Sequence, residues 1–287
     1  MSSADMLDKQ LSRLSQECLR LGVDRWRLAL TNGSALVVNA RREDGFLLLD
    51  AEAGANPTGA QLVPLVETLD RLPATAKFAL PGLRSLRVRA EFPLPEERGS
   101  PADRIECHLE GMRCSIHRLR ELSSREPAGE QSACPKASSP GPAAPGSLPE
   151  AIREAGWEFH ERDGGGLVAD LEVSGRLLQA HIERTDAGAR FRVTLFSEDS
   201  LEDDVRQALY LYLLQANAAL RYVRAFVQRQ GEATSAGFEV RVEGEPSPAE
   251  AGHALAALSV SGRFCAREME LFKDSAAAGI YRSARGL

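Results

Sequence analysis

The sequence predicts an α+β protein of two tandem modules, each an antiparallel sheet packed with helices. Three observations predict it. A stretch poor in large apolar residues divides the chain near its middle. The flanking segments repeat one order of elements. Strand-like alternation sits between amphipathic helices in both.

The dividing stretch, 123–147, reads SSREPAGEQSACPKASSPGPAAPGS. Almost nothing in it can offset the entropy of ordering a chain, so a flexible linker is expected, with Cys134 exposed. The modules are then 1–122 and 148–287. After an opening helix, the first runs through Trp26 in WRLALTNGSALVVNARREDGFLLLDAEAG. The second opens with LPEAIREAG and runs through Trp157 in WEFHERDGGGLVADLEVSGRLLQAHIERT. In each a Trp, expected as a core anchor, precedes a glycine-containing turn and further strands. Phe191, Val193 and Leu195 alternate with polar neighbours, the period of a half-buried strand.

Both segments close alike. LRVRAEFPLPEERGSPAD and FEVRVEGEPSPAE each lead into a long helix. Ser100-Pro101-Ala102-Asp103 and Ser247-Pro248-Ala249-Glu250 are helix starts, with Ser as N-cap, Pro in the first turn and an acid at N3. Three helical seams step by four and three residues. They are Leu7, Leu11, Leu14, Cys18, Leu21; Ile105, Leu109, Met112, Ile116, Leu119; and Ala251, Leu255, Leu258, Gly262, Cys265, Met269, Phe272. A fourth helix, from about Leu201 to Tyr222, is apolar on nearly every face and should be central. Its counterpart, Gln61 to Leu72, is shorter and interrupted by Pro64. The order argues for an internal duplication that has diverged.

Composition bounds the function. The 287 residues carry a formal net charge of −6, which disfavours a dedicated nucleic-acid binder. Five cysteines, an odd number in no paired spacing, point to a reducing compartment. The N-terminus lacks the signature of a signal peptide, and no window reaches the ~18 apolar residues of a membrane span. A cytoplasmic protein without membrane insertion is expected.

Candidate chemistry is thin. Cys107, His108, Cys114 and His117 share a helix but point in directions that cannot converge on one ion, and two turns, about 10 Å, separate the thiols. Gly164–Gly166 lacks the Lys-Ser/Thr of a phosphate loop and reads as a hairpin turn. Glu198 to Asp204 lacks the alternation of a calcium loop and reads as charge at a helix start. His160, His181 and His253 have no partner in a recognisable catalytic set. Arg84, Arg87 and Arg89, and Arg221, Arg224 and Arg229, read as solvated strand faces or a contact surface for an acidic partner. No cofactor and no metal is expected, and the protein is read as not an enzyme.

The order of helix, strands, helix, two strands and helix is similar to the type III secretion chaperone-like superfamily, especially its YbjN-type branch. The resemblance is strongest from Trp157 to Phe272, through LLQANAALRYVRAFVQ and FEVRVEG, and 5–122 resembles a degenerate second copy. It implies a protein-binding role: a chaperone-like or scaffold module holding a client, partner protein or unfolded segment, with two copies in one chain acting as an internal pseudo-dimer. The alternatives are an enzyme with an unrecognised active site, or a structural or regulatory subunit with one fixed partner. A binding role needs an apolar face left open after folding. The expected site is the opening-helix seam, Leu7, Leu11 and Leu14, with Leu36 and Val38 as outward strand positions.

Overall fold

The computed structural model describes residues 3–30, 36–53, 59–67, 76–81, 85–94, 101–123, 147–162 and 166–285. Residues 124–146 of the expected linker 123–147, with Cys134, the expected Ser100 cap, Arg84, and Gly164 and Gly165 lie outside the described residues. The chain is α+β, with two six-stranded antiparallel sheets each packed with helices. By contacts it divides into unit 1, Met1–Asn56 with Thr75–Ser138, and unit 2, Pro57–Ala74 with Ser139–Leu287.

Unit 1 begins with α1 (Ser3–Leu14). A meander of β1 (Glu17–Gly22), β2 (Arg25–Leu30), β3 (Leu36–Glu43) and β4 (Phe46–Glu52) follows, then β5 (Lys77–Ala79), β6 (Arg87–Pro93) and α3 (Pro101–Ser123). The strand order is β1-β2-β3-β4-β6-β5. The α3 seam from Ile105 to Leu119 is buried, as expected. Helix α1 packs against α3 and the first two strands. Trp26 is fully buried, and its Nε1–H donates to Asp8 Oδ1 at 2.9 Å, tying β2 to α1.

Unit 2 repeats the plan. Helix α4 (Leu148–Glu154) precedes β7 (His160–Glu161), β8 (Leu167–Val173), β9 (Arg176–Thr185) and β10 (Gly188–Glu198). Helix α5 (Asp203–Ala219), β11 (Arg224–Gln230), β12 (Ala233–Glu243), α6 (Pro248–Glu270), a 3-10 turn (Leu271–Lys273) and α7 (Ser275–Ser283) complete it. Its strand order, β7-β8-β9-β10-β12-β11, places each strand as in unit 1. Helix α6 lies across the sheet beside α4, as α3 lies beside α1. Its seam from Ala251 to Phe272 is buried. The expected capping box is present: Glu250 N donates to Ser247 Oγ at 3.3 Å, and Ser247 N to Glu250 Oε2 at 3.0 Å. Helix α5 is central, with ten buried residues.

Helix α2 (Gly59–Glu67) follows β4 in the chain but groups with unit 2, against α5 and β11. Leu62, Leu65 and Val66 are buried there, and Arg229 Nη1 meets Glu67 Oε1 at 2.9 Å.

Four local readings are corrected. The opening helix ends at Leu14, where Ser15 donates its hydroxyl to Leu11 O at 2.8 Å, and Cys18 and Leu21 belong to β1. In β10 the register shifts between Thr194 and Phe196, so Phe196 replaces Leu195 on the buried face. Trp157 precedes β7 rather than opening a strand and is only half-buried, unlike Trp26. Arg224 is buried, not solvated.

Candidate functional site

The residues expected to form an open apolar face are mostly core. Leu7 and Leu11 are buried, Leu14 is half-buried, and Leu36 and Val38 point inward, not outward. The β2–β3 register explains the strand positions: Val38 lies opposite Leu28 and Leu36 opposite Leu30, both on the helix-covered side. The outward position between them is Val37. Truncating the seam should therefore cost stability directly. Leu11→Ser is expected to destabilise the protein by about 2–5 kcal/mol, the range for emptying a buried leucine site, read as a lower thermal midpoint. An unchanged midpoint would remove Leu11 from the core.

The open apolar residues of unit 1 lie one element further on. Leu19 is 57% exposed, Leu21 51%, Val23 76% and Val37 51%. Strand β1 pairs with β2 on one side and is the edge of its sheet on the other. All of its residues but Cys18 are exposed, and Cys18 is half-buried, with burial pushing its thiol up. The other sheet edges in the described residues are less available: β5 is buried, β7 has two residues, and β11 is mostly buried. An exposed apolar edge strand is a template for another chain, which proteins ordinarily cover or charge.

Beside this edge the face of the sheet turned away from α1 and α3 is basic. Leu21, Arg25, Arg41, Leu48, Arg87 and Arg89 line a groove of about 330 Å³. Asp50, on the same groove, takes an ion pair from Arg87 and one from Arg89 at 3.4 Å. Arg25 and Arg27 are exposed and have no ion-pair partner among the described residues. The face therefore presents apolar side chains flanked by positive charge.

The corresponding face of unit 2 holds one carboxylate among three guanidiniums. Glu239 on β12 is fully buried. It accepts from Arg224 Nε at 2.7 Å and Arg192 Nη2 at 2.8 Å, and Arg241 Nε lies 2.7 Å away. The Arg192 guanidinium also covers the Phe226 ring at 4.0 Å. Burial alone would push the Glu239 carboxyl up; Arg224, Arg241 and Arg192 overcome it and hold it at about 2. This grouping fixes β10, β11 and β12 to one another.

Other singled-out residues fall apart from any shared site. Cys107 and Cys114 are half-buried and His117 is exposed. The His108 ring packs tilted against Phe92 with centroids 4.1 Å apart, and burial, with Arg104 nearby, pushes it down to about 3. Among the described residues no three His, Cys, Asp or Glu side chains gather at metal-holding distance. His160 and His181 sit on β7 and β9, and His253 is on α6. No helix among the described residues is long and apolar enough to cross a membrane.

These features define a two-sheet α+β protein with an open edge strand. Residues 145–262, less than half of the chain, match the model of the YbjN family, described as "Putative bacterial sensory transduction regulator". No curated protein and no solved structure matched the chain. The matched segment runs from just before α4 into α6 and leaves out unit 1's sheet.

Proposed function

We propose that the protein is a non-catalytic interaction protein, chaperone-like in build, that holds an extended, acidic segment of a partner protein along β1. The carrying observation is the exposed edge formed by Leu19 and Leu21, with Val23 in the turn that follows, bordered by Arg25 and Arg27. An added strand would satisfy the free backbone groups of β1, its alternate side chains would meet the leucines, and its carboxylates would meet the arginines. The repeated strand order supports reading the chain as two copies of one module, an internal pseudo-dimer in which the second copy carries the YbjN-like sequence. A second reading, prompted by the word regulator in the family description, is a regulatory subunit with one fixed partner.

The test uses the full chain as bait in native extract, with cross-linking and partner identification, beside a Leu19→Lys/Leu21→Lys variant. Both side chains are exposed, so the thermal midpoint should hold while partner recovery falls at least about tenfold, a loss of 1.4 kcal/mol or more in binding. Many partners mark a chaperone-like protein and one partner a dedicated regulator. Equal recovery by the variant would rule out β1 as the binding edge.

A further inference from the structure

Helix α6 has a second apolar face that the described residues leave exposed. Its buried side, including Leu255, Leu258, Gly262, Cys265 and Met269, lies on the sheet and α4. On the opposite side Val260 is 47% exposed, Phe264 65% and Leu271, in the helical turn that continues α6, 59%. At 100° per residue these three fall within about 40° of one line. Single exposed apolar residues are ordinary, but three large ones in line on a well-anchored helix make a seam.

The border of the seam is basic. Arg263 and Arg267 are exposed and have no ion-pair partner among the described residues. The neighbouring acids are engaged within unit 2: Glu268 Oε2 accepts from the Tyr212 hydroxyl at 2.7 Å, and Glu270 Oε1 meets Arg176 Nη1 at 2.9 Å. The helix packs closely on its sheet. An added Cβ at Gly262 would come within 2.6 Å of Leu178 Cδ1, so α6 sits close on the hairpin of β8 and β9. A rigid partner surface loses little entropy on binding. Phe264, Arg267 and Leu271 lie beyond residue 262, where the YbjN match ends, so this seam is not contained in the family-like segment.

We infer that the outer face of α6 docks an amphipathic helix of a partner protein, apolar on one stripe and acidic beside it. This rests on the interaction reading above and adds a second surface with a different kind of occupant. Leucine-type side chains at i, i+4 and i+7 would cover Phe264 and its neighbours, and flanking carboxylates would reach Arg263 and Arg267. A second copy of α6 fits less well. In a two-fold pairing centred near Phe264, the arginines of one copy would approach those of the other.

Fluorescence anisotropy with the full chain tests this. The probes are two labelled synthetic helical peptides with one leucine stripe, flanked by Glu in the first and Lys in the second. The Glu peptide should bind saturably, and the Lys peptide at least about tenfold more weakly. Phe264→Ser should weaken the Glu peptide at least about tenfold, and Arg263→Glu/Arg267→Glu should reverse the preference, all with unchanged thermal midpoints. Absent or equal binding of the two peptides overturns the inference, as does a preference that survives charge reversal. A wild-type dimer dissolved by Phe264→Ser also overturns it, assigning the seam to self-association. If peptide binding fails while the β1 variant still abolishes partner capture, the α6 surface alone is lost. If the β1 variant and Phe264→Ser both capture partners as the wild type does, the interaction reading loses both of its surfaces.

Discussion

Gly237→Ala is expected to destabilise unit 2 by more than about 3 kcal/mol, beyond the ordinary range for a single added methyl. Gly237 lies on β12 between Phe226 of β11 and Thr194 of β10. A Cβ built there would fall 2.0 Å from the Val193 carbonyl oxygen and 3.0 Å from Thr194 Cα. Both are backbone atoms, so no rotamer change relieves the contact. The crowding adjoins the register shift of β10 between Thr194 and Phe196, where the extra residue interrupts the pairing. Making room means separating β10 from β12, in the middle of the sheet. The same step would disturb the Arg192–Glu239 contact two pairs along. Denaturant unfolding measures the effect, and Gly279→Ala is the control. Nothing lies within 4 Å of an added Cβ at Gly279 in α7, and alanine there gains helix propensity. Equal midpoints for Gly237→Ala and wild type would show that β10 and β12 are further apart than described.

The long helices were legible because burial imposes a 3.6-residue period over many turns. Every position of the Ile105–Leu119 and Ala251–Phe272 seams is buried. The opening helix misled for the same reason. Cys18 and Leu21 continue the four-and-three stepping of Leu7, Leu11 and Leu14, although they lie in β1. A competing signal was present: Leu19, Leu21 and Val23 alternate with Arg20 and Gly22, the period of a strand. An edge strand with no well-buried face gives that signal no support from an apolar–polar contrast.

The open surface was hard to place because local pattern does not fix which face is covered. Leu36, Val37 and Val38 are apolar in succession, so β3 could present either side; its pairing with β2 decides. The α6 seam shows the limit from the other direction. The sequence shows a helix with apolar residues on two sides, and only the packing of Gly262 on Leu178 shows which side is open. The charge grouping at Glu239 was also invisible, since its partner Arg192 lies 47 residues away and meets it only through the β10–β12 register.

Glu239→Gln is expected to cost about 3–5 kcal/mol at neutral pH, the range for removing one member of a buried charge grouping. Glutamine keeps the shape but leaves Arg192, Arg224 and Arg241 facing one another without the carboxylate. The pH dependence separates this charge effect from a packing defect. The Glu239 carboxyl is held at about 2 in the folded protein, below its ordinary 4.5. Between those values the unfolded chain binds a proton that the folded protein refuses, so stability rises with pH. The stabilisation from ionised Glu239 is fully present above about pH 4.5 and is lost as pH falls toward 2. The gap between wild type and Glu239→Gln should therefore be widest above pH 4.5 and close below it. His108, neutral when folded down to about pH 3, also destabilises the protein in acid, but it does so in both proteins and leaves the difference unchanged. Denaturant midpoints of the two proteins across this range measure the gap. A difference that stays constant from neutral pH to pH 2.5 would assign the loss to packing and remove the ionised carboxylate as the tie between β10, β11 and β12.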